Sequence, residues 1–122
     1  MDRQTFKIHD HKDVGEVHIA DEVIAIIAGM AATEVEGIKG MVGSSTDNIV
    51  ELLGRKNLSK GVQVDVSEGT ITLGLSLVVT YGSSIVEVSK SVSEKVKNAV
   101  ETMTGLEVAA VNINVTGVDI EH

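Results

Sequence analysis

Three basic side chains stand close together in an acidic chain, and they are the first residues whose chemistry asks for an explanation. Arg55, Lys56 and Lys60 fall within six residues that contain no acid, whereas the whole chain has a formal net charge of −8. Such a cluster can grip a phosphate, contact a nucleic acid, dock on an acidic protein surface or remain solvated. The surrounding sequence GRKNLSKG does not have the P-loop spacing G-x-x-x-x-G-K-[ST], so nucleotide binding is not expected.

A second candidate site is the segment GIKG, residues 37–40, because its glycine spacing matches the loop that clamps a nucleotide backbone in KH domains. Gly37, Lys39 and Gly40 would then be the RNA-contacting residues. The segment has a single lysine, it does not run directly into the next predicted helix, and the acidic chain repels phosphate. RNA binding through this loop is therefore the alternative prediction and not the leading one.

Residue types that serve catalysis or metal binding form no recognisable pattern. The zincin motif, the calcium-binding EF-hand loop and the serine-hydrolase elbow are all absent. Because the chain has no cysteine, disulfides and thiolate metal sites are excluded. His9 and His11, with Asp10 and Asp13, lie in a polar N-terminal segment and would hold a divalent ion only loosely. No catalytic, metal-ligating or cofactor-binding residue is predicted, although an enzyme or an accessory subunit of one stays open as a rival.

Hydrophobic periodicity places these candidates on a small α+β domain. Residues that alternate between apolar and polar predict strands over 14–20, 62–66, 71–81 and 106–118, and the middle two form a hairpin around the turn SEGT. Helices are predicted over 21–36, over 46–53, and from the capping box of Ser84 and Glu87 to Gly105. The order β-α-α-β-β-α-β predicts a small mixed sheet with the helices packed on one face.

The predicted core is aliphatic, since Phe6 and Tyr81 are the only aromatic residues. The helix over 21–36 is apolar nearly all round for ten residues, which predicts burial on more than one side or cover by a partner. The remaining core positions are expected on the longest strand and on one stripe of the last helix: Ile71, Leu73, Leu75, Leu77, Val79, Val88, Val92, Val96, Ala99, Val100 and Met103.

Length and composition indicate one soluble domain. The chain has 122 residues, of which 43% are hydrophobic, and this is enough for a modest single core. The polar N-terminus is not a signal peptide, and the longest apolar run would span only ~15 Å of a bilayer core of ~30 Å. We expect a flexible tail over 1–13, a single domain over 14–118, a short tail over 119–122, and a cytoplasmic location.

Several stretches together resemble one protein family. They are GEVHIADEVIAIIAGMAATEVEGIKGM, LLGRKNLSKGVQV and VVTYGSSIVEVSKSVSEKVKNAVETMTGLEVAAVNINVTGV, which cover about residues 14–118. They are similar to the alkaline-shock-protein family of Gram-positive bacteria, also called the envelope stress response family. The resemblance implies a small cytosolic protein of cell-envelope homeostasis with no established enzymatic activity. It also implies that some members self-associate and are held at the membrane by a separate anchor protein.

The resemblance turns the basic cluster into a hypothesis about docking. Arg55, Lys56 and Lys60 belong to the family signature G-R-K-N-x-x-K-G, and we interpret them as contacts to an acidic surface of a protein partner. The competing interpretation is that Arg55 caps the carbonyl end of the second helix while the lysines are solvated. The expected function is that of a non-enzymatic adaptor or scaffold without a cofactor, which forms homo-oligomers and binds a protein partner, including a membrane-anchored one.

Overall fold

The computed structural model describes residues 5–8, 17–41 and 59–120. The described elements follow the predicted order and confirm the α+β class. The strands are β1 (Thr5–Ile8), β2 (Val17–Ala20), β3 (Ile38–Met41), β4 (Val62–Ser67), β5 (Thr70–Thr80) and β6 (Glu107–Asp119), and the helices are α1 (Asp21–Thr33) and α2 (Ile85–Thr104). The helix predicted over 46–53 lies outside the described residues.

Strand β5 is the centre of a four-stranded mixed sheet. β6 runs parallel to β5 along its whole length, with Leu73 opposite Val111. β4 and β3 are both antiparallel to β5 and pair with different parts of its other edge. Val62 of β4 lies opposite Leu75, and Met41 of β3 lies opposite Leu77. The parallel pair is closed by the crossover helix α2, as a βαβ connection requires. β1 and β2 form a separate antiparallel pair before α1.

Both helices cover the same face of this sheet. α1 lies over β3 and β4, α2 lies over β6, and the two helices contact each other above β5. Side chains on the covered face of β5 are therefore completely enclosed: Ile71, Leu73, Leu75 and Leu77 are 0% exposed and Val79 is 1% exposed. On the flanking strands, Val108 at the start of β6 is also buried, at 2% exposed, whereas the other inward residues of β4 and β6 are only partly buried against this core. The predicted arrangement of helices on one face is thus confirmed.

The turns and helix ends follow the local sequence signals. Glu68 and Gly69 have φ values of 53° and 84°, which makes the two-residue hairpin turn that SEGT predicts. The Ser84 hydroxyl accepts the Glu87 N–H at 3.3 Å and begins α2, as the capping box predicts. Gly105, in the left-handed region at φ 75°, ends α2 by donating to the Glu101 carbonyl.

The prediction and the structure differ at one helix end and at two strands. α1 ends at Thr33 and not at 36, since the N–H groups of Glu34 and Val35 bond three residues back and tighten into a turn. β3 is not among the predicted strands, and Ile38–Met41 becomes a strand because the last residues of β5 offer it a ladder partner. The segment expected to be a tail contains β1, whose pairing with β2 is a tertiary contact without a local signal.

The Ser84 cap gives a test of the boundary at the start of α2. Ser84→Ala removes the acceptor of the Glu87 N–H, and we expect it to lower the free energy of unfolding by about 1 kcal/mol. Urea denaturation followed by circular dichroism measures the change. Ser91→Ala, at an exposed position of the same helix, is the matched control and should change stability by less than about 0.5 kcal/mol. Equal effects of the two substitutions would contradict the cap.

Candidate functional site

A largely apolar groove lies between the outer sides of α1 and α2, and we call it the helix groove. It encloses about 490 Å³ and is lined by Val23, Ile26, Ile27, Met30, Ala31, Glu34, Lys95, Ala99 and Met103. α1 contributes side chains from successive turns, since positions 23, 26, 27 and 30 recur at helical spacing on one side. Seven of the nine lining residues are thus aliphatic or methionine side chains.

Large apolar side chains in the helix groove are open to solvent. Val23 is 47% exposed, Met30 is 48% exposed and Met103 is 68% exposed. Isolated exposed apolar residues are ordinary on a protein surface. Here three of them line one groove, which makes the groove a candidate site for contact with another molecule. Methionine suits such a surface because its unbranched thioether chain adapts to different partners.

The exposure of Met103 corrects the prediction that placed it in the core. The buried positions of α2 recur every four residues, at Val88, Val92, Val96, Val100 and Thr104. Thr104 occupies the last buried turn because its hydroxyl donates to the Val100 carbonyl at 2.7 Å and accepts the Leu106 N–H at 3.1 Å. Sequence reasoning preferred methionine to threonine at this turn, and Met103 consequently points to the groove.

One ion pair closes an end of the helix groove. Lys95 Nζ of α2 lies 3.2 Å from Glu34 Oε1, just beyond the end of α1. Both side chains are about half exposed, so the pair contributes little to stability. Its consequence is electrostatic. The charges of Glu34 and Lys95, the two charged residues in the groove lining, cancel each other, so the lining has no net charge.

The structure describes only one member of the predicted basic cluster. Arg55 and Lys56 lie outside the described residues, whereas Lys60 is exposed immediately before β4. The neighbouring Gly61, at φ 80°, accepts the Ser76 N–H through its carbonyl at 2.9 Å. β3 ends at Met41, opposite Leu77, and β4 begins at Val62, opposite Leu75. The two described strand ends that flank the cluster in sequence therefore lie next to each other along the same edge of β5.

The residues of the RNA-binding alternative form a turn and a paired strand. Gly37 is a turn residue with φ 100°, and its carbonyl accepts the Thr80 N–H at 2.9 Å. Lys39 and Gly40 belong to β3, where Gly40 lies opposite Val78. Lys39 Nζ is 3.4 Å from Asp119 Oδ2. This geometry gives the glycine spacing a structural explanation, because Gly37 allows the chain to enter β3.

Gly37 provides a test of that structural explanation. A Cβ at Gly37 would lie 2.7 Å from Val88 Cγ2, whereas a Cβ at Gly82, at φ 96°, would meet nothing within 4 Å. Both Gly→Ala substitutions carry the strain of a positive φ, about 1–2 kcal/mol. We expect Gly37→Ala to be the more destabilising of the two in urea denaturation, because it adds the clash. Equal losses would mean that Val88 yields freely.

Other chemistry has no geometric support in the part of the chain that the structure describes. Among these residues, no three His, Cys, Asp or Glu side chains are grouped so that they could hold a metal ion. The histidines and aspartates of the N-terminal segment, His9, His11, Asp10 and Asp13, lie outside it. No helix within the described ranges combines the length and apolar character needed to cross a membrane.

The fold is that of a small α+β protein with a largely apolar groove between its two helices. The model of the alkaline shock protein 23 family, described as having a cell envelope-related function, matches residues 9–120. The chain therefore belongs to this family, which confirms the resemblance seen in its motifs.

Curated relatives come from Gram-positive bacteria. The chain is 41% identical to the Bacillus subtilis protein YqhY over 92% of this chain and 84% of YqhY. It is also 41% identical to YloU of the same organism, over 88% of this chain and 92% of YloU. A more distant relative is the stress response regulator gls24 homolog of Streptococcus pyogenes, 29% identical over 85% of this chain and 59% of that protein.

A likeness to a solved structure extends to the fold alone. A triple variant of MamM CTD superimposes with a TM-score of 0.50 at 13% identity, over 80% of this chain and 94% of that chain. At so low an identity, the likeness concerns the arrangement of strands and helices and carries no functional residue.

Proposed function

We propose that the protein is a non-enzymatic adaptor of the cell-envelope stress response, which associates with copies of itself and docks on a protein partner. It would act in the cytoplasm and reach the membrane only through an anchored partner. The family and a relative named as a stress response regulator support the cellular setting. The observation that carries the adaptor role is the helix groove, with Val23, Met30 and Met103 about half exposed or more.

An amphipathic helix of the partner is the occupant that the groove fits best. Two helices side by side leave a furrow shaped for a third, and recognition of this kind uses apolar anchors at helical spacing. Full burial of a side chain such as Val or Met contributes about 1.5–3 kcal/mol, so covering what is exposed here contributes roughly 1 kcal/mol for each. Three such anchors are enough to make docking sensitive to a single substitution.

The first test places a charge in the groove. Met30→Lys would bury an unpaired ammonium group under the partner helix, and we expect at least a tenfold loss of partner in cross-linked affinity capture from the native host. The fold should persist, because the Met30 side chain is already half exposed. Quantitative mass spectrometry of the captured proteins, against the unmodified chain, gives the readout.

The matched control for this test is Asn98→Lys. It adds the same charge at an exposed position of α2 that does not line the groove, and capture should remain at the level of the unmodified chain. Capture that survives Met30→Lys, or is lost equally in both variants, would contradict docking in the helix groove.

A second test concerns the basic cluster, for which docking remains a proposal. Charge reversal at Lys56 and Lys60 to glutamate should weaken capture of a partner with an acidic surface, chiefly at low salt, because rim charges steer association. Lys90→Glu is the control, because Lys90 is exposed on α2 and its replacement changes the net charge by the same amount as each of the two reversals. Unchanged capture at low salt would favour the interpretation in which these lysines are only solvated.

The same captured material distinguishes the RNA-binding alternative. Half of each eluate is assayed for RNA, and the adaptor proposal expects RNA at background. Salt-sensitive RNA well above background, lost on changing Gly40 to Asp but not Gly82 to Asp, would overturn the adaptor function in favour of a nucleotide clamp.

A further inference from the structure

The outer edge of β6 is a second surface that the described fold leaves unpaired. β6 has 13 residues and pairs with β5 through one edge. No described strand pairs with its other edge. A long free edge offers a row of backbone donors and acceptors to another strand, which makes it either a hazard or an interface.

Inward side chains of β6 are incompletely covered on the side of this edge. Val111, Ile113 and Val115 lie opposite the fully enclosed Leu73, Leu75 and Leu77 of β5, yet they are only half-buried. The difference arises because β5 has a paired strand on each edge, whereas β6 has a described neighbour only on the edge that faces β5. A cleft of about 200 Å³ between α2 and the start of β6 belongs to the same uncovered margin. A further strand beside β6 would enclose these residues as β6 encloses those of β5.

The sequence of β6 lacks the residues by which proteins protect a free edge. From Val108 to Val118 there is no charged residue and no proline, whereas exposed edges are usually protected by lysine or proline. Two register shifts, next to Ala109 and Thr116, interrupt the strand. They confine the regular part to 110–115, which is as long as a typical strand.

We propose that the β6 edges of two copies of this chain pair antiparallel about a two-fold axis at Ile113, so that two four-stranded sheets join into one. In this register Asn112 of one copy lies opposite Asn114 of the other, and Val111 lies opposite Val115. Apolar residues then meet apolar residues on the helix side, and amides meet amides on the open side. Cross-strand pairs of like character of this kind stabilise a sheet.

A second copy fits this edge better than an unrelated peptide for two reasons. An isologous interface needs a self-complementary surface, and the alternation of β6 about Ile113 is the same in both directions over these positions. The copies also carry a net charge of −8 each, so the electrostatic cost of close approach is low where the surface is uncharged. The regular part of β6 is such a place, and the charged residues of the neighbouring cleft, Glu94 and Lys97, cancel.

This inference rests on the self-association in the proposed function and gives it a location separate from the helix groove. The chain contains no cysteine, which allows an exact test of the register. Asn112→Cys and Asn114→Cys, both exposed on the open face, are made as separate single variants. Mixed and mildly oxidised, they should form a disulfide-linked pair in much higher yield than either variant alone, because residue 112 of one copy meets residue 114 of the other.

Gln63→Cys, exposed on β4 of the same sheet, is the control for random collision. A mixed yield no greater than the yield of the control would overturn the pairing. In a second arm, Asn112→Lys with Asn114→Lys sets four like charges along the joint edge. Light scattering on a concentration series should then show at least a halving of the assembled mass, to 12.8 kDa if the pair is the only assembly. Gln63→Lys should keep the assembled mass.

Persistence of the full mass in the lysine pair, or a monomeric unmodified chain at every concentration, would overturn the inference. If the lysine pair fails to fold, the cysteine mixture still decides. Met30→Lys separates this inference from the proposed function, because it should abolish partner capture and leave the cysteine cross-link intact. A lost cross-link with capture intact rejects the β6 pairing alone. An intact cross-link together with capture that survives Met30→Lys, or that is lost equally in Met30→Lys and Asn98→Lys, rejects docking in the helix groove alone.

Discussion

The complete burial of one face of β5 is the constraint on which the rest of the structure depends. Five alternate side chains from Ile71 to Val79 are at most 1% exposed, and burial of each stabilises the fold by about 1.5–3 kcal/mol. Such enclosure needs a strand on each edge of β5 and a layer above it. β6 supplies one edge, β4 and β3 together supply the other, and the two helices meet directly above.

The surfaces available for binding follow from this arrangement. Small residues on α1, among them Ala28 and Ala32 at 0% exposure, let the helix approach the sheet and α2 closely. Val23 and Met30 of α1 lie on its outer side, and with Met103 they line the helix groove. The margin of the sheet is uncovered for a related reason, since two helices centred on β5 do not reach past β6. The helix groove and the outer margin of β6 thus have the same origin, because two helices are too few to cover every apolar side chain of the sheet and of α1.

Much of the fold was predictable because local patterns and tertiary contacts agree. The alternation of β4, β5 and β6, the turn at Glu68 and Gly69, and the cap at Ser84 each have a local physical cause. β3 was not predictable, because Ile38–Met41 contains a glycine and a lysine and becomes a strand only through its ladder to β5. Likewise, the apolar residues around α1 predicted burial on several sides of the helix, but only the structure shows that the side with Val23 and Met30 is exposed to solvent. Arg55 and Lys56 lie outside the described residues, so the proposal for them rests on the charge and spacing of the sequence.

Electrostatics then selects among the surfaces that the fold leaves open. Copies with a charge of −8 repel one another over a Debye length of ~8 Å at physiological salt, so the proposed self-association is favoured where charge is absent or cancelled. The helix groove meets this condition through the Glu34–Lys95 pair, and the regular part of β6 meets it because it has no charged residue. The basic cluster differs from both, since its local charge is opposite to that of the chain, and this is why we propose an acidic partner surface for it. The chain thus offers two uncharged surfaces and one basic segment at separate places, and the proposed adaptor needs this separation to hold copies and partners at the same time.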